Sequence, residues 1–406
     1  MEKGDASLLS NRSFLFLWTG QSISMFGLAV YTTCLPFLVF HAGGGAVELS
    51  LAQSIFIIPQ LVFLLASGVF VDRWPKKRIM MIADLIRSLL VFSVAILLVV
   101  EELRLIHVYL LTGIIGLIGT FYRPAVRGIT PLIVEKTQLI SANSLRSISQ
   151  QVNEMIGPAI GGFLAASIGL YVAYAINAVT FLLSALLVTL VAVRTVVPDE
   201  EENGRSDNFL DDFVEGWKTV RKRGWLGASI LIGSVSNVGI AAFDVIILPV
   251  YAASAFQGVR TYGLFLSSMA IGALVCAVVI GKINKLSNRG VLYYLFIGLS
   301  GVFVLCLSLK PALWLTLLLL SGIGFCLTAF IIIWDSVTQE LIDEKLLGRV
   351  VSFEMFGGLA LLPLSYALFG FLLEKMGVSW SMSLAGLVIL AASLLGLANR
   401  RVRELN

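Results

Sequence analysis

Five carboxylic acids stand inside otherwise apolar runs of this 406-residue chain: Asp84, Glu154, Asp244, Asp335 and Glu354. A charge at the centre of a bilayer costs at least ~2.5–3.5 kcal/mol, so each acid needs a partner, a water-filled cavity or a proton. Asp84 has Arg87 three residues on, on the same helical face, and the two can pair; this intramembrane pair reads as structural. Glu154 lies one turn before Pro158, in the middle of its run, and Asp244 lies five residues before Pro249. Neither has an opposite charge nearby in sequence. A carboxyl group so placed can take up a proton while open to one compartment and release it to the other, and it attracts a cation when ionised. That is the minimal chemistry of proton-coupled exchange. A neutral acid hydrogen-bonded inside a helix bundle is the other reading. Asp335, near the end of its run, can reach water, and Glu354 lies two turns into the next run; both join the proton or cation-coupling candidates.

The elements that must hold these acids are twelve hydrophobic runs, roughly 14–40, 48–71, 79–100, 105–126, 141–167, 170–193, 226–254, 261–281, 291–309, 312–336, 347–373 and 379–399. About 20 apolar residues cross a hydrocarbon core of ~30 Å. Composition agrees: 58% of residues are hydrophobic and 13% charged, against about 25% charged in a soluble domain. Of the 29 Lys and Arg, 24 fall on the cytoplasmic side or at span ends facing it, four (Arg104, Arg260, Lys310, Lys375) fall outside, and Arg87 lies within a span. This bias places both termini in the cytoplasm and favours an even number of spans. The polar start Met1-Glu2-Lys3-Gly4-Asp5 and the long first run read as an uncleaved insertion signal. The expected class is an all-α, multi-pass protein of the plasma (inner) membrane.

The chain divides into a six-span bundle over 1–194, a cytoplasmic linker over 195–225 and a second six-span bundle over 226–406. The linker opens acidic and ends basic, and Phe209, Leu210, Phe213, Val214, Trp217 and Val220 recur at helical spacing. That pattern predicts either an amphipathic helix on the membrane surface or a solvated tether. The two halves repeat. An offset of 213 pairs Leu35-Pro36 with Leu248-Pro249 and Gly68 with Gly281. An offset of 208 pairs Ile133-Val134-Glu135 with Leu341-Ile342-Asp343, Gly162 with Gly370 and Gly169 with Gly377. Six spans repeated in parallel orientation form a transporter plan with substrate near the midplane.

Two motifs carry a family resemblance. Gly68-Val69-Phe70-Val71-Asp72-Arg73-Trp74-Pro75-Lys76-Lys77-Arg78 resembles the loop signature of the major facilitator superfamily, with Pro75 in place of the usual glycine. Gly68 would let two helices approach, and Asp72 would cap a helix N-terminus. Arg73, Lys76, Lys77 and Arg78 would pair with acids of the other half or with lipid phosphates, making this a gating loop. The bland reading is that these cations only obey the positive-inside rule. Lys285 stands where a second Asp72 would fall. The run Gly157-Pro158-Ala159-Ile160-Gly161-Gly162 resembles the exporter motif of that superfamily: Pro158 bends a helix, and Gly157, Gly161 and Gly162 permit close packing. Ordinary glycine packing is the alternative.

The resemblance covers nearly the whole chain and is nearest to the bacterial drug–proton antiporter branch that includes macrolide-efflux proteins. It implies two six-helix bundles related by a pseudo-two-fold axis. It implies Asp244 as a proton or cation site, through the likeness of Phe243-Asp244-x-x-x-Leu248-Pro249-Val250 to a seventh span that carries a coupling acid. It also implies Trp18, Phe26, Tyr31, Phe243 and Tyr251 as candidates to line an apolar cavity, since the first and seventh spans usually line it. The function expected is a proton-coupled exporter of amphipathic small molecules or drugs, working as a monomer among membrane lipids. The alternative is a transporter of lysophospholipid or of a siderophore-like metabolite. No phosphate-binding loop, catalytic triad or metal-type spacing is present, so no enzyme activity, no metal and no cofactor beyond the coupling proton is expected. Cys34, Cys276, Cys306 and Cys326 all fall within spans and read as small apolar residues. The net charge of +4 belongs to cytoplasmic loops facing an anionic leaflet and gives no reason to expect nucleic acid.

Overall fold

In hydrocarbon every backbone N–H and C=O must be satisfied within its own segment, which leaves the α-helix as the natural answer for apolar runs of this length. The computed structural model describes residues 8–63, 66–193, 220–221, 224–256, 258–283, 287–342 and 344–400. Among them all regular structure is helical. The first half comprises α1 (Arg12–His41), α2 (Ala46–Phe63), α3 (Ala66–Arg73), α4 (Lys76–Val99), α5 (Leu105–Ile129), α6 (Leu139–Ile168) and α7 (Leu170–Thr189). The second comprises α8 (Gly224–Ala242), a π turn (Phe243–Ile247), α9 (Leu248–Ala255), α10 (Val259–Gly281), α11 (Arg289–Leu307), α12 (Leu313–Leu341), α13 (Glu344–Ala360) and α14 (Leu362–Ala398). Nearly all of the expected 195–225 linker, including the hydrophobic positions Phe209 to Trp217, lies outside the described residues, as does Lys285.

Ten of the described helical stretches are long and apolar enough to cross a membrane. Two departures from the twelve expected runs have local causes. The 30-residue α6 has the length, but its first half carries Asn143, Arg146, Gln150, Gln151 and Asn153, which dilute its apolar character. The stretch Phe353–Ala398 runs for 46 residues, about twice what one crossing needs, and is broken at Gly377 (φ 78°, ψ 177°). Hydroxyls within helices return to their own backbone: Thr19 Oγ1 donates to Leu15 O at 2.6 Å, Thr112 Oγ1 to Val108 O at 2.7 Å and Thr338 Oγ1 to Trp334 O at 2.8 Å. Large apolar side chains such as Leu89, Phe163, Leu231 and Leu318 are exposed, as a lipid-facing surface requires.

The chain forms two compact units. One contains the described residues of Met1–Gly44 and Ile55–Ser206, the other those of Gly45–Ser54 and Asp207–Asn406. In the first, α4 packs on α5 and α7, and α1 on α6 and α7. In the second, α10 packs on α12, α11 on α12 and α14, and α8 on α13 and α14. The start of α2 therefore groups with the second unit, where a Cβ at Gly370 would lie 2.7 Å from Ser50 Cβ and 3.0 Å from the Ala46 carbonyl.

The repeat is visible within each unit. A Cβ on Gly116 would come within 3.1 Å of Phe56 Cα, and one on Gly324 within 2.8 Å of Met269 Cα. These are equivalent positions under the offsets of 208 and 213. Gly169 and Gly377, also equivalent, share a positive φ of 94° and 78°, a conformation that favours glycine.

Candidate functional site

Asp84 and Arg87 are fully buried inside the first unit and pair at 3.2 Å. The network is wider than the pair. Ser24 of α1 donates to Asp84 Oδ1 at 2.9 Å, and Ser184 of α7 and Tyr122 of α5 donate to Oδ2 at 2.6 and 3.2 Å. The Arg87 guanidinium lies over the Tyr122 ring at 4.6 Å and the Phe181 ring at 5.7 Å. Four donors on one carboxylate leave it no capacity for a ligand. The group ties four helices together. The i,i+3 spacing disclosed the pair, whereas Ser24, Tyr122 and Ser184 are distant in sequence and carried no local signal.

The motif on α6 faces α1 along a parallel seam. Trp18 Nε1 donates to Ser149 Oγ at 2.8 Å and Asn153 Nδ2 to Ser22 O at 3.1 Å. A Cβ on Gly157 would stand 2.5 Å from Ala29 Cβ, and one on Gly161 3.1 Å from Val30 Cα. Gly162 is buried and Pro158 half-buried on the same helix. Glu154 belongs to α6, but its side chain lies outside what is described. Trp18 and Phe26 remain partly exposed. Tyr31, Phe243 and Tyr251, expected to line a cavity, are all buried. Tyr31 donates to Thr112 Oγ1 at 2.8 Å, and Tyr251 stacks on Phe265 at 5.8 Å.

The expected gating loop runs from α3 into α4. Gly68 and Asp72 lie in α3, their surroundings outside what is described. Arg73 and Arg78 are exposed. Lys77 instead turns inward, donating to the Thr189 and Val191 carbonyls at 2.9 and 2.7 Å; it caps the C-terminus of α7, where the dipole favours a cation. The aliphatic stem of Lys76 lies against Gly128. Pro75 serves as the N-cap of α4 at φ −60°, a value natural to proline, so this turn needs no glycine.

In the second unit, Asp244 sits in the π turn, whose defining bond runs from the Leu248 N–H to Phe243 O. Pro249, just downstream, has no N–H for the carbonyl four residues before it, and the wider turn is a local accommodation. π turns occur frequently at functional sites. Phe243, Ile246 and Ile247 are buried and Asp244 is half-buried. Among the described residues its carboxyl makes no hydrogen bond or ion pair, and its titratable neighbour is Tyr366 of α14.

Asp335 is exposed on α12 and Glu354 half-buried on α13. The two are within electrostatic reach of one another, and Glu354 also of the Tyr293 phenol. Around Glu354 lies a group of rings that composition alone could not assemble. Tyr293 stands 5.5 Å from Trp334 and 5.1 Å from Phe330, and Trp225 stands 6.4 Å from Trp334. The first unit holds Arg127 and Arg146 at the positions equivalent to Asp335 and Glu354 under the 208 offset. Arg127 is exposed and Arg146 half-buried, the two interact electrostatically, and Arg146 Nη1 has no hydrogen-bond partner among the described residues. The repeat spacing was the signal that could have found this pair.

Comparison with known proteins bears on all of this. The family model of the Major Facilitator Superfamily matches residues 17–360. The chain is similar to macrolide efflux protein A of Streptococcus pyogenes, 24% identical over 398 residues and 97% of each chain. It is also similar to the multidrug efflux pump Tap of Mycolicibacterium fortuitum, 25% identical over 94% of each. Among solved structures, a bacterial homologue of the iron transporter ferroportin in its inward-facing state aligns with a TM-score of 0.73, at 16% identity, over 96% of this chain and 98% of that one. That likeness speaks to the fold alone.

Proposed function

Because the chain belongs to the Major Facilitator Superfamily, and so to transporters rather than enzymes, we propose that it is a proton-coupled exporter of amphipathic small molecules, acting as a monomer in the plasma membrane. Full-length similarity to a macrolide and a multidrug efflux protein supports export. The observation that carries the coupling is Asp244: a half-buried carboxyl in a membrane-spanning segment, without a hydrogen bond or counter-ion among the described residues and seated in a π turn. Such a group is stable protonated when water is excluded and ionised when water enters, which links its proton to the access it has. Glu154, Asp335 and Glu354 are further coupling candidates, and the α3–α4 loop with Asp72 is the proposed gate.

The proposal includes twelve crossings with both termini in the cytoplasm. Ten apolar stretches, the break at Gly377 and the length of α6 support that number, and the Lys and Arg distribution supports the orientation.

The test is efflux from proteoliposomes with and without an imposed proton gradient. Gradient-dependent export in the wild type, lost in Asp244→Asn with folding retained, is the expected result. Export of lysophospholipid that ignores the gradient would replace this reading with the lipid one.

A further inference from the structure

We infer that Arg127 and Arg146 form a binding site for an oxyanion of the phosphate type at one end of the first unit, a site independent of the export reading. Arg127 lies near the C-terminus of α5 and Arg146 in the first half of α6. Their chain neighbours Val126 and Leu145 pack into one apolar cluster with Phe14 and Trp18 of α1, which holds the two arginines at its edge. Arg146 is half-buried and forms the inner side, while Arg127 is exposed and forms the outer side. Asn143 and Gln150, three residues before Arg146 and four after it, share its helical face. Both are exposed, so the place is open to an incoming group.

Three observations point to an anionic ligand. First, the two guanidinium groups are close enough to repel one another, and neither makes an ion pair or a side-chain hydrogen bond among the described residues. Second, Arg146 Nη1 is buried without a hydrogen-bond partner among them. A buried donor left unmade is costly, and more so on a charged group. Two other arginines show how this chain settles that cost. Arg87, buried, closes on Asp84 at 3.2 Å, and Arg289, half-buried, closes on Glu340. Arg146 has no such carboxylate. Third, the repeat puts Asp335 and Glu354 at the equivalent positions of the second unit. The shared scaffold therefore does not require cations here, and the pair has a cause local to the first unit. An oxyanion answers all three. It offsets the two like charges, accepts from the Nη1 donor, and suits the guanidinium fork, which binds phosphate through two parallel N–H bonds. The Lys76 stem, lying against Gly128 beside Arg127, brings a further cation to the same end. In the proposed orientation this end meets the cytoplasmic leaflet, where anionic phospholipid head groups supply such an oxyanion. Dissolved phosphate is the other source.

The experiment is equilibrium binding to the full chain in dodecyl maltoside of three probes: acyl-labelled fluorescent phosphatidylglycerol, the matching phosphatidylcholine, and radiolabelled inorganic phosphate. Arg146→Gln is expected to weaken phosphatidylglycerol binding about tenfold while leaving phosphatidylcholine unchanged. Arg146→Lys keeps the charge but not the fork, and is expected to lose about threefold. Inorganic phosphate distinguishes the sources. Phosphate that binds wild type and displaces phosphatidylglycerol assigns the site to free oxyanions as well, whereas phosphatidylglycerol that resists it assigns the site to the lipid head group. No binding of either anion to wild type overturns the site, and so does binding that stays within about twofold of wild type in both Arg146→Gln and Arg127→Gln. If Arg146→Gln does not fold, Arg127→Gln, at an exposed side chain, decides alone by the same limit.

Discussion

The two units handle their acids in opposite ways. In the first, Asp84 is enclosed by Arg87, Ser24, Tyr122 and Ser184, a fully partnered charge that fastens helices. In the second, Asp244 and Glu354 are half-buried and Asp335 is exposed. The polar positions that the repeat makes equivalent are even inverted in sign, with Arg127 and Arg146 in one unit and Asp335 and Glu354 in the other. The scaffold was kept through the repeat, down to the Gly116 and Gly324 crossings, while the charges diverged. Equivalent geometry therefore does not imply equivalent chemistry.

The contrast can be broken most forcefully at Asp84. Asp84→Ala strands a buried guanidinium and should cost about 3–5 kcal/mol, read as a collapse of the melting temperature in detergent; a variant that melts like wild type would remove the fastening role. Asp244→Asn should do the opposite, abolishing gradient-driven efflux while stability changes by no more than about 0.5 kcal/mol. If it unfolds the protein as Asp84→Ala does, the distinction between the units fails. The kept half of the comparison is sharpened by Gly116→Ala and Gly324→Ala, each expected to destabilise by about 1–3 kcal/mol through overpacking against backbone. Thermal melts that differ widely between the two would show that the crossings are not equivalent. The smallest effect is expected at Lys77→Met, about 0.3–1 kcal/mol from the lost C-terminal cap of α7. A change in transport larger than that loss explains would return Lys77 to the gate.

Much of the fold was legible because its signals are local. Run lengths located the helices, the 208 offset located Gly169 and Gly377, and the i,i+3 spacing of Asp84 and Arg87 disclosed their pairing. What stayed hidden depends on which face of a helix turns inward, and a helix that is apolar all round does not encode this in its periodicity. Tyr31 and Tyr251, read as lining candidates, are buried, which the sequence pattern did not indicate. Trp225, Tyr293, Phe330 and Trp334 come from three separate helices and could not be grouped beforehand. The π turn was equally invisible, since Pro249 indicates a disturbance without specifying its form.

The single residues Gly169 and Gly377 have a mechanical corollary. Each connects two long helical segments with no intervening polar loop, α6 to α7 in one case and the two arms of α14 in the other. Slack is absent at such a joint, so one arm cannot slide far without dragging its neighbour. Each couple is bound to travel as one lever, and an epitope tag spliced at either glycine would jam it.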